Sequence, residues 1–150
     1  MAITIVQINS AIEGTLATAT GLTNSQDYNE LTEGMQDIPN LQVYWRSANQ
    51  DPIGNTTQRS FRGGVKQTDL TFYADLYARQ RSHIGEDMAA LLPLVDAISA
   101  VLEAQKTKPL FGLAGIQALT SWRADQVVFE YGDPLLKYVG ARFTITVRVF

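Results

Sequence analysis

The segment "ARFTITVRVF", residues 141–150, decides the fold because apolar and polar side chains alternate along it without interruption. Side chains two residues apart lie on the same face of a β-strand, so this period predicts a strand with one buried face. A one-residue slip in its pairing would bury arginine side chains, and the alternation therefore sets the register. The predicted inward side chains are Phe143, Ile145, Val147 and Val149, and the predicted outward ones are Arg142, Thr144, Thr146 and Arg148.

A second strand is predicted directly upstream, in "SWRADQVVFEY", residues 121–131. This segment ends in the β-branched and aromatic residues that are common in strands. "GDPLLKYVG", residues 132–140, is interpreted as the loop between the two strands because glycine or proline stands near each of its ends. Residues 121–150 are therefore expected to form a hairpin.

Further upstream, "LQVYWRS", residues 41–47, and "VKQTDLTFYADLYA", residues 65–78, alternate in the same way. We expect these two strands to pair as another hairpin. The predicted inward side chains are Leu41, Val43 and Trp45 in the first strand, and Leu70, Phe72, Ala74 and Leu76 in the second.

The connection between these strands, "ANQDPIGNTTQRSFRGG" at residues 48–64, is long and almost entirely polar. Loops of this length in compact domains are usually functional or disordered, and we interpret residues 48–64 as a mobile loop. Basic side chains next to an aromatic ring can bind nucleic acid, although a loop that contacts another subunit has the same composition. The candidate contact residues are Arg59, Phe61, Arg62 and Lys66.

Two helices are predicted from apolar residues at helical spacing. The first covers residues 3–19, and the second is a central helix in which Pro93 should cause a kink or mark the start. A short helix is also expected at residues 116–119. The predicted apolar stripes are Ile5, Ile8, Ile12 and Leu16 in the first helix, and Met88, Leu91, Leu92, Val95, Ile98 and Leu102 in the second.

These elements predict an α+β fold in the order α-β-β-α-β-β. The sheet is expected to be four-stranded and mainly antiparallel, with the N-terminal helix and the central helix packed on one face. A length of 150 residues predicts a single domain over residues 1–150. No stretch approaches the roughly 20 apolar residues that span a membrane. The first residues lack the basic region of a signal peptide, so we expect neither membrane insertion nor secretion.

Catalytic and metal-binding chemistry has little support in the sequence. With no cysteine and one histidine, the chain lacks the clustered ligands of a structural zinc site. That histidine, His83, is interpreted as a solvated residue at a helix entry, because catalytic triads draw their members from separate elements. "GGVKQT", residues 63–68, lacks the spacing of a phosphate-binding loop and precedes a strand. We expect a protein that is not an enzyme and that has no catalytic residue, cofactor or metal.

Charge is distributed unevenly, with a net value of −3 at neutral pH. Residues 1–45 contain no Lys or Arg, so all twelve basic residues follow them. This split is either incidental surface composition or a sign of two complementary faces that meet in an oligomer. The candidate interface acids are Glu30, Glu33 and Asp37.

The layout of the chain resembles the tail terminator proteins of long-tailed bacteriophages, also called minor tail or tail completion proteins. The similarity covers most of the chain: an N-terminal amphipathic helix, a strand preceded by Pro39, and a long polar loop inside a hairpin. A central helix, "EDMAALLPLVDAISAVLEA" at residues 86–104, follows. The sequence "FEYGDPLLKYVGARFTITVRVF", residues 129–150, then supplies a loop with Tyr-x-Gly and the alternating strand.

This resemblance implies a structural role in the virion. Such proteins form hexameric rings that cap the completed tail tube and present a surface to the head-tail connector protein. The implied partners are further copies of the chain, the tail tube protein, the connector protein and genomic DNA that passes through the lumen without sequence-specific binding. The implied location is the tail or neck of a virion made in the host cytoplasm, with residues 48–64 as an assembly loop. Alternatives are a head-completion or connector protein, and a non-viral α+β domain that binds a ligand or acts as an enzyme.

Overall fold

The alternating segment forms an inner strand of the sheet in a computed structural model, which describes residues 4–22, 24–26, 39–52, 66–131 and 136–149. The sheet has five strands in the order β1-β2-β3-β5-β4. The elements are α1 (Ile5–Leu16), β1 (Asn24–Gln26), β2 (Asn40–Pro52), β3 (Lys66–Gln80), α2 (Ile84–Glu103), a 3₁₀ turn (Leu110–Gly112), β4 (Ile116–Tyr131) and β5 (Leu136–Val149).

Four of these strands form the predicted antiparallel sheet, with β2 beside β3, β3 beside β5, and β5 beside β4. Phe72 of β3 lies opposite Ile145 of β5, and Ile145 lies opposite Trp122 of β4. The inward side chains predicted for β5 are fully buried, as are those predicted for β3. The predicted α+β fold and the predicted inward faces of β3 and β5 are therefore confirmed.

Both helices pack on the same face of the sheet and share one hydrophobic core with it. A capping box begins α1: the Thr4 hydroxyl accepts a hydrogen bond from the backbone N–H of Gln7, and the Gln7 side chain accepts one from the backbone N–H of Thr4. The side chains that these helices bury are Ile8, Ile12 and Leu16 in α1, and Leu91, Leu94, Ile98 and Leu102 in α2.

The predicted stripe of α2 is wrong at one position. Leu92 is 54% exposed, whereas Leu94 is buried in the core. Leu94 lies three residues after Leu91 and four before Ile98, which is the spacing that keeps side chains on one helix face. The helix begins at Ile84 and continues through Pro93, so this proline does not mark its start.

Several predicted strand boundaries are also wrong, because backbone pairing between strands continues past the residues whose side chains alternate between apolar and polar. Residues 116–119 begin β4 and form no helix, since Ile116 pairs with Val149. Residues 136–140, predicted as loop, belong to β5. Residues 48–52, predicted as the start of the mobile loop, continue β2 opposite β3. The short parallel strand β1 was not predicted, because its sequence "NSQ" carries no alternation.

We expect Ile145→Ala to lower the free energy of unfolding by about 2–5 kcal/mol, because the side chain is fully buried and the remaining cavity loses its packing. Urea unfolding monitored by circular dichroism measures the change. Arg148→Ala is the matched control on the opposite face of β5, where the side chain is one third exposed, and it should unfold like the wild type. A loss below about 0.5 kcal/mol for Ile145→Ala would contradict the packing of β5.

Candidate functional site

The face of the sheet opposite α1 and α2, here called the open face, carries a connected group of charged and aromatic side chains. Within the described residues no helix packs on this face. The register brings the group together, since Tyr44 lies opposite Tyr73, and Asp75 lies opposite Arg142. These four residues and Arg46 are called the open-face network.

A bidentate ion pair forms the centre of the open-face network. Arg142 donates from Nε to Oδ1 of Asp75 at 2.8 Å and from Nη2 to Oδ2 at 3.1 Å. The Tyr44 hydroxyl donates to Oδ2 of Asp75 at 2.6 Å. Asp75 is almost completely buried, whereas one third of the Arg142 side chain is exposed. The hydrogen bonds to Asp75 raise the pKa of Arg142 above its usual value, so the guanidinium stays charged.

Two guanidinium groups contact the ring of Tyr73. The central guanidinium carbon lies 4.3 Å from the ring centroid in Arg142 and 5.4 Å from it in Arg46. Arg46 also donates from Nε to the Tyr73 hydroxyl. The rings of Tyr44 and Tyr73 meet edge to face, with centroids 5.8 Å apart. Cation–π and edge-to-face contacts both favour this arrangement, which fixes Tyr73 at the centre of a half-exposed surface.

An aromatic cluster continues the open face toward the β4–β5 hairpin. The rings of Tyr77 and Phe129 lie 4.3 Å apart, and Tyr138 packs against Tyr77. Gly140 allows this packing: a Cβ atom there would collide with the backbone carbonyl oxygen of Leu76 and lie 2.9 Å from Cε2 of Phe129. Glycine is therefore required for the close approach of β3 and β5 at this point.

Further ion pairs lie around the network. Arg148 donates to Asp69 at 3.0 Å, and Arg123 forms two hydrogen bonds of 2.9 Å with Asp125. At the start of α2, the buried carboxylate of Asp87 accepts from the backbone N–H of Ser82. The sequence placed Asp87 in the first helical turn but carried no sign of its burial.

Most residues proposed from the sequence as contact sites are not covered by the structural description. Arg59, Phe61 and Arg62 lie outside the described residues, as do the candidate interface acids Glu30, Glu33 and Asp37. Lys66 is the first residue of β3 and lies opposite Pro52, and its side chain is not described. His83 is exposed at the N-cap of α2, as predicted for a helix-entry residue.

The open-face network was missed because sequence alternation shows only which residues face outward. Tyr44, Asp75 and Arg142 each stand at an outward position, but their partners are up to 98 residues away in the chain. Only the register of three strands makes them neighbours. The one available clue was an acid in an outward position of one strand and an arginine in an outward position of another.

The chemistry of the open-face network suits contact with another macromolecule. Both oxygens of Asp75 already accept hydrogen bonds from protein donors, which makes the pair a fixed element. Tyrosine and arginine side chains held in place are frequent anchors of protein interfaces, because little side-chain entropy remains to be lost on binding. Within the described residues, no group of three or more His, Cys, Asp or Glu side chains could hold a metal ion.

Among the described residues, two recesses lie near the two edges of the sheet. One, with a volume of about 260 Å³, is lined by Ile5, Val6, Asn9, Tyr44 and Trp45. The other, of about 340 Å³, lies between the end of α2 and β4 and includes Leu102, Leu119 and Trp122. The first has an almost wholly apolar lining and is open to solvent, a character typical of surfaces that bind apolar side chains.

Comparison with known proteins adds no family assignment to this geometry. No protein-family model matches the chain, and no curated protein sequence matches it. Among the described helices, none is both long and apolar enough to cross a membrane. The observations that bear on function are therefore the fold, the open face and the sheet edges.

Gly140→Ala should destabilise the protein by about 3 kcal/mol, because the added methyl group collides with backbone that cannot rotate away. Gly14→Ala is the matched control. Gly14 lies in α1, where a Cβ would meet no atom within 4 Å, and alanine should stabilise that helix by up to about 1 kcal/mol. Chemical denaturation measures both values, and equal stability of the two variants would contradict the tight packing at Gly140.

Arg142→Met should lower the free energy of unfolding by about 2–4 kcal/mol, because it leaves the buried carboxylate of Asp75 without its cation. The value is reduced from that of a fully buried pair because one third of Arg142 is exposed. Adding Asp75→Asn to Arg142→Met should recover part of the loss. The control Arg123→Met removes an exposed pair and should leave the urea midpoint unchanged. Equal effects of the two single substitutions would show that burial of Asp75 has no energetic role.

Proposed function

We propose that this protein is a structural component of a phage virion that forms a ring, caps the tail tube and joins it to the head-tail connector protein. The observation that carries the proposal is the arrangement of the β2–β3 hairpin. Its strands continue in unbroken register from Ser47 opposite Thr71 to Pro52 opposite Lys66. Residues 53–65 therefore leave from a two-stranded support, where the resembling family places its assembly loop.

We propose that the hairpin serves as a preorganised base from which residues 53–65 contact a partner. Ala48 and Asn49 of β2 are exposed. Their partners in β3, Leu70 and Asp69, pair with β5 on their other side. A paired hairpin has few backbone conformations to lose when it docks, so it reduces the entropic cost of placing the attached segment on a partner. The tail tube protein is the partner that we propose for residues 53–65, with Arg59, Phe61 and Arg62 as its contact residues.

The open-face network supports the same role. A ring through which DNA passes needs a surface that keeps its shape, and this surface is held by a bidentate ion pair and by the edge-to-face contact of Tyr44 and Tyr73. We propose that copies of the chain, the tail tube protein and the connector protein are its partners. DNA passes through the lumen without sequence-specific contact. The protein acts without catalysis and resides in the tail or neck of the virion.

The test of this function combines the purified protein with a phage that encodes it. Negative-stain electron microscopy of the purified protein should show closed rings. Phage in which the gene carries an early stop codon should accumulate heads without tails and tubes of uncontrolled length. Supplying the wild-type protein should restore joined particles. Normal particles from the interrupted gene would refute the proposal.

Replacement of residues 53–65 by a short Gly-Ser turn should leave the melting temperature nearly unchanged and abolish particle completion. Shortening a loop alters its closure entropy by only about 0.6 kcal/mol per halving of its length. A Gly-Ser segment of the original length is the control, because it keeps the reach and removes Arg59, Phe61 and Arg62. If the control completes particles and the short turn does not, reach alone matters. Completion by both variants would exclude a docking role for the segment.

A further inference from the structure

The two edges of the sheet differ in how much of the edge strand is paired. β1 pairs with β2 only through Asn40–Gln42, so from Val43 onward β2 has no strand on that side within the described residues. At the opposite edge β4 pairs with β5, and its other side carries no strand in the described part of the chain. From Ser121 to Tyr131 the pairing of β4 is free of bulges, which leaves a regular row of backbone groups at this edge.

The two tryptophans of the chain stand at these two edges, in one row of the sheet. Trp45 of β2 lies opposite Phe72, Phe72 opposite Ile145, and Ile145 opposite Trp122 of β4. Both tryptophans therefore face the helical side. Trp45 is 45% exposed, which is unusual for so large an apolar side chain on the core face of a sheet.

The helical layer covers the sheet unevenly. α1 packs on β2, while α2 packs on β3 and β5. On the helical side of β4, the apolar side chains of Ala124 and Val128 are exposed, with the exposed Gln126 between them. At the other edge, the apolar recess beside Trp45 is open, and Val6 of α1 is 52% exposed at its rim. Each edge thus leaves apolar surface uncovered on the same face of the sheet.

We infer that the sheet continues from one copy of the chain to the next, with β4 of each copy paired to β2 of its neighbour. This inference rests on the ring-forming function proposed above and names its subunit interface. Three successive antiparallel pairings make β4 run opposite to β2. In a ring whose axis lies close to the strand direction, the two strands therefore meet antiparallel and can form backbone hydrogen bonds.

This pairing covers the exposed apolar surfaces of both edges. It places Ala124 and Val128 of one copy beneath α1 of the next, next to the recess lined by Val6 and Trp45. The two patches differ, so the contact is head-to-tail and can close into a ring. Pairing of β4 with a second β4 would leave the recess beside Trp45 unfilled, and for this reason we place β2 of the neighbour there.

The test uses two lysine substitutions at exposed positions, one for each edge. Ala124→Lys places a charge on the helical side of β4, and Val6→Lys places one at the rim of the recess in α1. Each should weaken self-association by about a hundredfold or more, because the interface would bury an unpaired ammonium group. Ala89→Lys, at an exposed position of α2, is the matched control and should associate like the wild type. Sedimentation velocity measures association, and thermal unfolding verifies that each variant folds.

Mixing the two variants gives the sharpest result. Ala124→Lys keeps an intact β2 edge and Val6→Lys keeps an intact β4 edge, so an equimolar mixture should form dimers and nothing larger. Dimer formation should also shift tryptophan fluorescence to shorter wavelength, as Trp45 loses contact with water. If wild type and both variants form the same rings, edge pairing is wrong and the ring function stands. The wild type could also remain monomeric at every concentration, including under conditions in which it caps tubes. That result would contradict both the ring and this interface.

Discussion

β5 pairs on both sides, with β3 along one edge and β4 along the other, so its alternation sets the faces of three strands at once. Phe143, Ile145 and Val147 occupy the core beneath the helices. A slip by one residue would replace them with Arg142, Thr144 and Thr146, or with Thr144, Thr146 and Arg148, and would bury charge with no partner on that side. The helices can pack only where this register presents an apolar surface, which makes their positions a consequence of β5.

The same register creates the open-face network. Because Asp75 and Arg142 lie opposite each other on two adjacent inner strands, the buried carboxylate meets its cation without any loop movement. Buried ion pairs often add little net stability, but removal of one member is costly. The pair therefore penalises alternative registers more than it stabilises the native one. Gly140 has a similar effect, since only glycine permits the approach of β3 and β5 beneath Phe129.

The asymmetry of the sheet links this architecture to assembly. One edge carries α1 and a half-exposed Trp45, whereas the other extends beyond the helical layer with Ala124 and Val128 uncovered. Natural proteins usually block such edges with charges, prolines or bulges, because open edges attract other strands. Here the bulges of β4 fall in its first residues, between Ile116 and Ser121, and the remainder is regular. A head-to-tail contact would use this edge and the β2 edge of the next copy, and would leave the connection between β2 and β3 for a different partner.

The sequence by itself determined the fold class, both hairpins, both helices and the inward faces of β3 and β5, because hydrophobic periodicity is a local property that each segment carries alone. Hydrophobic periodicity did not predict where the strands end. Residues 48–52, 116–119 and 136–140 belong to strands because their backbones pair with a neighbouring strand, and backbone pairing does not require alternating side chains. The exposure of Leu92 and Trp45, and the meeting of Tyr44, Asp75 and Arg142, were decided only by tertiary structure. These features depend on which elements become neighbours in the folded protein. When two such elements are distant in the sequence, the hydrophobic pattern of each one alone does not show that they meet.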